Sequence, residues 1–169
     1  STGSVGIFES NSIMRAVARL ANDDRGVYGR DPYQASRIDS FLDASLVFAR
    51  DTQHYLLCLG SDRLTREIHT QGRDAFTNYL DGIERAMAVG DGFIAGEELT
   101  LADICFVAEL SLFSRERAWR RTIEAMECEP IDWSGFEYAT AHYEELCTHP
   151  AFAADLTPFL EKLAADIKK

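Results

Sequence analysis

Apolar residues in this chain recur every three or four positions and almost nowhere every two. That spacing restricts the fold to packed helices. A helix gathers i, i+3, i+4 and i+7 on one face, whereas a half-buried strand needs alternation. Residues 10–21 place Ile13, Val17, Leu20 and Ala21 on one stripe, with Ser10 or Asn11 able to cap the start. Asn22 to Gly26 reads as a polar turn. A long second helix begins near Asp31-Pro32, where proline suits a first turn, and runs to about Leu59, with Gly60 as its stop. A third spans about Leu64 to Val89 and is interrupted by Gly72, a site for a kink or a close crossing. A fourth starts at Thr100. Residues 117–128 predict a fifth, Phe136 to Leu146 a sixth, and Leu156 to Ile167 a seventh. The expected class is all-α, a helical bundle, preceded by one short β-type run at Val5, Ile7 and Phe8.

Charge narrows the functions available. The chain has 169 residues and a net charge of −11, which argues against nucleic acid, since phosphate binding needs clustered Lys and Arg. Arg117, Arg120 and Arg121 form the one dense basic group, and with Glu116 and Glu124 beside them they read as a solvated helix face. No apolar run approaches the ~18 residues that a membrane span needs. Cys58, Cys105, Cys128 and Cys147 are widely spaced among apolar or helical neighbours, the pattern of buried free thiols in a reducing compartment. His54 and Cys58 share a helix face at i, i+4, but two ligands do not make a metal site, and packing accounts for them.

Gly96 to Ile104 is the sharpest local signal. Thr100 is an N-cap whose hydroxyl can accept from the Asp103 N–H, while the Asp103 carboxylate reaches back to the Thr100 N–H. Leu99 and Ile104 can close a hydrophobic staple over it. This assigns Thr100 and Asp103 to folding, although a carboxylate such as Asp103 could also serve as a catalytic group.

Several motifs in order resemble the glutathione S-transferase family. Phe8-Glu9-Ser10-Asn11-Ser12-Ile13 is similar to the family's strand-to-helix Glu-Ser-x-Ala-Ile. Tyr28-Gly29-Arg30-Asp31 leads into a long helix with Asp39 two turns in. Phe93-x-x-Gly96, then Leu99-Thr100-x-Ala102-Asp103, looks like the family's buried capping box, and His149-Pro150-Ala151-Phe152 resembles its tail. The resemblance implies that residues 1–9 are the last strand of a thioredoxin-like domain and that 10–169 are the helical domain. It implies glutathione as cosubstrate, held at its γ-glutamyl end by Glu9 and Ser10. Helix-start N–H groups would receive the carboxylate there, and Glu9 the ammonium. Asp39 matches a carboxylate that reaches the partner subunit's glutathione in some classes. Tyr33, Phe41, Ser45 and Phe48 would line a pocket for a small hydrophobic electrophile. A cytoplasmic homodimer without a metal is implied as well.

The family's activating Tyr, Ser or Cys and its cis-proline have no counterpart in Ser1–Phe8. No catalytic residue is therefore assigned, and about 80 further residues are expected before Ser1 in the natural protein. Glu9 and Ser10 can position a peptide but cannot lower the pKa of its thiol, so the chain alone is expected to be inactive. The alternative is a non-catalytic scaffold or interaction domain of the elongation factor 1 gamma type, which shares the Glu-Ser-Asn start.

Overall fold

The structure is a computed structural model whose described residues are 6–21, 26–90 and 92–167. These residues form an all-α bundle: α1 (Ser10–Leu20), α2 (Pro32–Cys58), α3 (Arg66–Val89), α4 (Leu101–Phe113), α5 (Arg120–Ala125), α6 (Glu137–Thr148) and α7 (Ala153–Ile167). A 3-10 segment at Ser114–Trp119 joins α4 to α5. None of the described helices is long and apolar enough to cross a membrane.

The long helices α2 and α3 pack against each other, and α4 lies along α2. α6 closes the far side against α3 and α4, α7 packs on α6 and the 3-10 segment, and α1 rests on α4. α2 starts as its sequence predicts: Pro32 occupies the first turn and Asp31 caps it, its carboxylate accepting from the Gln34 N–H at 2.8 Å. Gly29 feeds the chain into that cap at φ +90°, and a Cβ there would lie 2.6 Å from the Ala35 nitrogen. α3 runs unbroken through Gly72. That glycine marks the point where α3 crosses α2, and an added Cβ would stand 2.6 Å from the Tyr55 ring.

The core is one aromatic stack flanked by aliphatics. Phe48 lies on Tyr79 at 4.6 Å between centroids, and Phe76 on Phe113 at 4.7 Å. Ile38, Leu42, Leu80, Phe106 and Leu110 fill in around them without measurable exposure. Full burial of such side chains contributes roughly 1.5–3 kcal/mol each.

Three expectations change. Ser1–Val5 and Asn22–Arg25 lie outside the described residues, so the turn expected at the latter and most of the expected strand are not described. Gly6–Phe8 make no strand; a strand needs a ladder partner, and none runs beside them among the described residues. The helix expected over 117–128 is split into the 3-10 segment and the short α5. Glu127 ends α5 at φ +56°, with the Cys128 N–H reaching back to the Ile123 carbonyl at 3.3 Å in a Schellman-type finish. Glu116 is not part of a solvated face. It is 2% exposed, and Oε1 accepts from the Tyr55 hydroxyl and from the Ile131 N–H, each at 3.1 Å. That carboxylate ties α2, the 3-10 segment and the 129–133 loop together. Of its basic neighbours, Arg117 stacks over Trp133 at 4.2 Å, and Arg120 pairs with Glu124 at 2.8 Å.

Candidate functional site

The start of α1 combines an unusual backbone with a firm anchor. Glu9 immediately precedes the helix at φ 70° and ψ 127°, and no side chain caps the helix there. A non-glycine residue held in that region stores roughly 1–3 kcal/mol of strain, which persists only where the surroundings over-determine it. Asn11 supplies the constraint. It is 4% exposed, its Nδ2 donates to the Leu42 carbonyl at 2.6 Å and to Ser45 Oγ at 3.5 Å, and its Oδ1 accepts from the Cys105 thiol at 3.5 Å. Asn11 therefore rivets α1 to α2 and α4; it is not the cap its sequence position suggests. Ser10 stays exposed. The N–H groups of Ser10, Asn11 and Ser12 precede the first backbone bond of the helix, which Ile13 donates to the Glu9 carbonyl at 2.9 Å.

Glu9 also borders a groove of about 950 Å³ between α2 and α4, within the size range of small-molecule sites. Its apolar wall is Leu46, Val47 and Leu57 of α2 and Leu112 of α4, with Trp119 of the 3-10 segment lying over Gly60. Its polar groups are Arg50, Gln53, Glu109 and Arg115. Burial pushes the half-buried Glu109 carboxyl above its ordinary pKa.

The four residues expected to line an electrophile pocket do not border this groove. Phe48 and Ser45 are each 1% exposed inside the core. Ser45 Oγ donates to the Leu42 carbonyl at 2.8 Å and sits 2.9 Å from Cys105 Sγ. Phe41 is half-buried against the core, and Tyr33 points to solvent. A 27-residue helix presents more than one stripe. The stripe through Ile38, Leu42, Ser45 and Phe48 faces the core, and the groove belongs to the neighbouring stripe through Leu46, Arg50, Gln53 and Leu57.

Asp39 joins a surface network. Its carboxylate accepts from Arg15 Nε at 2.6 Å and from the Tyr28 hydroxyl at 2.8 Å, while Arg15 also reaches Asp43 at 3.1 Å. Burial and the adjoining Asp39 both push the Tyr28 phenol above its ordinary pKa, so the phenol stays protonated and donating. Asp39 thereby fastens α1 and the 27–31 turn to α2.

Thr100 and Asp103 form the box. The Thr100 hydroxyl accepts from the Ala102 N–H at 3.3 Å and donates to Asp103 Oδ2 at 2.9 Å, and Oδ2 takes the Thr100 N–H at 2.8 Å. Two more donors converge on Oδ1 from afar: the Ile94 N–H at 3.0 Å and His142 Nε2 at 2.9 Å. His142 Nδ1 is buried without a partner among the described residues. The proton therefore belongs on Nε2, where it is used, and only a lone pair is left unmatched. The fully buried Asp103 thus holds four donors, Thr100 N–H, Thr100 O–H, Ile94 N–H and His142, and no solvent path leads to it. This is a folding element with no room for a substrate. Sequence reasoning missed His142 and Ile94, and it also missed Asn11 as an anchor and Glu109 and Trp119 as groove residues. A histidine one turn into an amphipathic helix, on its apolar face, was the one available signal.

Comparison with known proteins agrees with this architecture. Residues 50–122 match the family model for the glutathione S-transferase C-terminal domain. Elongation factor 1-gamma of Trypanosoma cruzi is 28% identical over 104 residues, a stretch covering 58% of this chain and 23% of that protein. Among solved structures, FzlA from C. crescentus aligns with a TM-score of 0.67 at 22% identity, over 86% of this chain and 62% of that one. A glutathione S-transferase from Rhodospirillum rubrum F11 gives 0.67 at 18% identity, over 90% and 66% respectively. Glutathione S-transferase 1-6 from Anopheles dirus species B gives 0.61 at 20% identity, over 95% and 68%. The chain thus spans under a quarter of the elongation factor and about two thirds of each solved relative, and at these identities the structures speak for the fold. With the matched segment at its centre and the shared fold around it, the described residues have the fold of a glutathione S-transferase C-terminal helical domain.

Proposed function

We propose that this chain is the helical part of a protein that conjugates glutathione to small electrophiles. The observation that carries this is the strained Glu9 at the open start of α1, on the border of an apolar groove. Glutathione would meet the helix N-terminus through its γ-glutamyl carboxylate, with Ser10 O–H and the first-turn N–H groups donating and Glu9 accepting from the ammonium. The electrophile would lie against Leu46, Leu57, Leu112 and Trp119, on the neighbouring stripe of α2 from the one through Phe41, Ser45 and Phe48.

A thiolate attack needs a group that lowers the thiol pKa, and neither Glu9 nor Ser10 supplies it. We assign that group to a thioredoxin-like domain before residue 10. The exposed apolar residues Ile13, Val17 and Leu20 of α1 support the need for such cover. Dimerisation and a cytoplasmic setting belong to the same proposal.

The test uses the full-length protein. Retention on immobilised glutathione, together with conjugation of 1-chloro-2,4-dinitrobenzene that falls on Glu9→Ala, is the expected result. Retention without conjugation, or neither, would favour a scaffold role, with which the likeness to elongation factor 1-gamma is also compatible.

A further inference from the structure

We propose that the α2–α4 groove selects ligands that join an apolar body to a cationic amine, and that Glu109 is the residue that selects them. This deepens the transferase reading and rests on it for the groove's role as the electrophile's seat. Glu109 projects from α4 among Leu46, Leu57 and Leu112, and no cation lies within ion-pairing distance of its carboxylate among the described residues. A carboxylate half-removed from water with neither a counter-charge nor a hydrogen-bond donor is costly. The upward displacement of its pKa has burial as its one cause, which agrees with an acceptor left unmet.

The two arginines of the groove do not supply the missing partner. Arg50 is turned to its neighbour Asp51 at 2.8 Å with most of its side chain in solvent, and Arg115 stands exposed. Glu9 adds a second carboxylate to the lining. Trp119 offers an indole face, to which a cation is also drawn. An ammonium group on an aromatic or aliphatic body would satisfy Glu109 while the body covers the apolar wall. A carboxylate on the same body would be repelled from that position.

Three naphthalene probes share one body and differ in charge: 1-naphthylmethylamine, 1-naphthylmethanol and 1-naphthylacetic acid. Each is titrated into the chain while tryptophan fluorescence is followed, and Trp119→Phe separates the groove's signal from that of Trp133. The amine is expected to bind roughly tenfold more tightly than the acid, as for a hydrogen bond to a charged group. In Glu109→Gln that preference is expected to fall to within about twofold. Equal or tighter binding of the acid, a preference that survives in Glu109→Gln, or no binding by the amine overturns the proposal. Because Glu109 makes no hydrogen bond or ion pair among the described residues, the variant is expected to keep its fold, and a thermal melt checks this. Conjugation by the full-length protein is read separately. Lost conjugation with an intact amine preference would sink the transferase reading alone, and the reverse would sink only the role of Glu109.

Discussion

Two helices of this molecule begin in opposite ways. α4 starts at a saturated cap, where one buried carboxylate answers four donors and a hydroxyl covers the first turn. α1 starts at a strained, exposed residue with no side-chain cap, although its second residue is riveted into the core. Both starts are held in place, but only α1 leaves its first-turn N–H groups to the outside. A helix start finished internally serves folding; one that is fixed yet unfinished is suited to receive an anion from elsewhere.

The largest expected effect comes from emptying the saturated start. Asp103→Ala strands the Ile94 and Thr100 N–H groups and His142 in the core, and is expected to cost roughly 4 kcal/mol in urea unfolding. A loss under about 2 kcal/mol would mean that Asp103 is no more than an ordinary cap. Thr100→Ala removes the hydroxyl and leaves the Asp103 contacts to Ile94 and His142, so about 1–2 kcal/mol is expected.

At the open start the sign reverses. Glu9→Gly relaxes the positive φ and is expected to raise stability by up to about 1 kcal/mol while abolishing glutathione retention by the full-length protein. If it destabilised the fold, α1 would be a finished helix start and the contrast would fail.

The smallest effect concerns Glu116, an acceptor that is buried like Asp103 but takes two donors. Burial raises its pKa, outweighing the Ile131 and Tyr55 hydrogen bonds and the pull of Arg117 and Arg120. A raised folded value means that the group's contribution is fully present below the ordinary glutamate range and is lost as pH rises through the folded value. Glu116→Gln is therefore expected to melt no lower than the wild type at pH 7, with the wild type gaining on the variant as pH falls toward 4.5. The opposite trend would show Glu116 held as a stabilised anion.

What could be read from the sequence follows from the range of each interaction. The Thr100 box was legible because its parts lie within four residues, and the helix spans were legible because periodicity is local. His142 meets Asp103 from 39 residues away and Glu116 meets Ile131 from 15, and no local pattern signals either. Glu116 sat among arginines and looked solvated, yet a 3-10 segment turned it inward. The residues expected to line a pocket fall off the groove because apolar spacing on α2 finds its most buried stripe, whereas the groove is lined by a mixed stripe with both apolar and charged members, such as Leu46, Arg50, Gln53 and Leu57.

Gly72 adds a mechanical consequence. At the α2–α3 crossing the Tyr55 side chain lies so close to Gly72 that a single methyl group there would collide with it. Tyr55 in turn holds Glu116, and Glu116 holds the 129–133 loop. A larger residue at position 72 would therefore push on α2 at Tyr55, disturb the groove whose lining includes the neighbouring Gln53, Leu56 and Leu57, and loosen the 129–133 loop that Glu116 holds. The tolerance of this fold is set at that crossing by a side chain it does without.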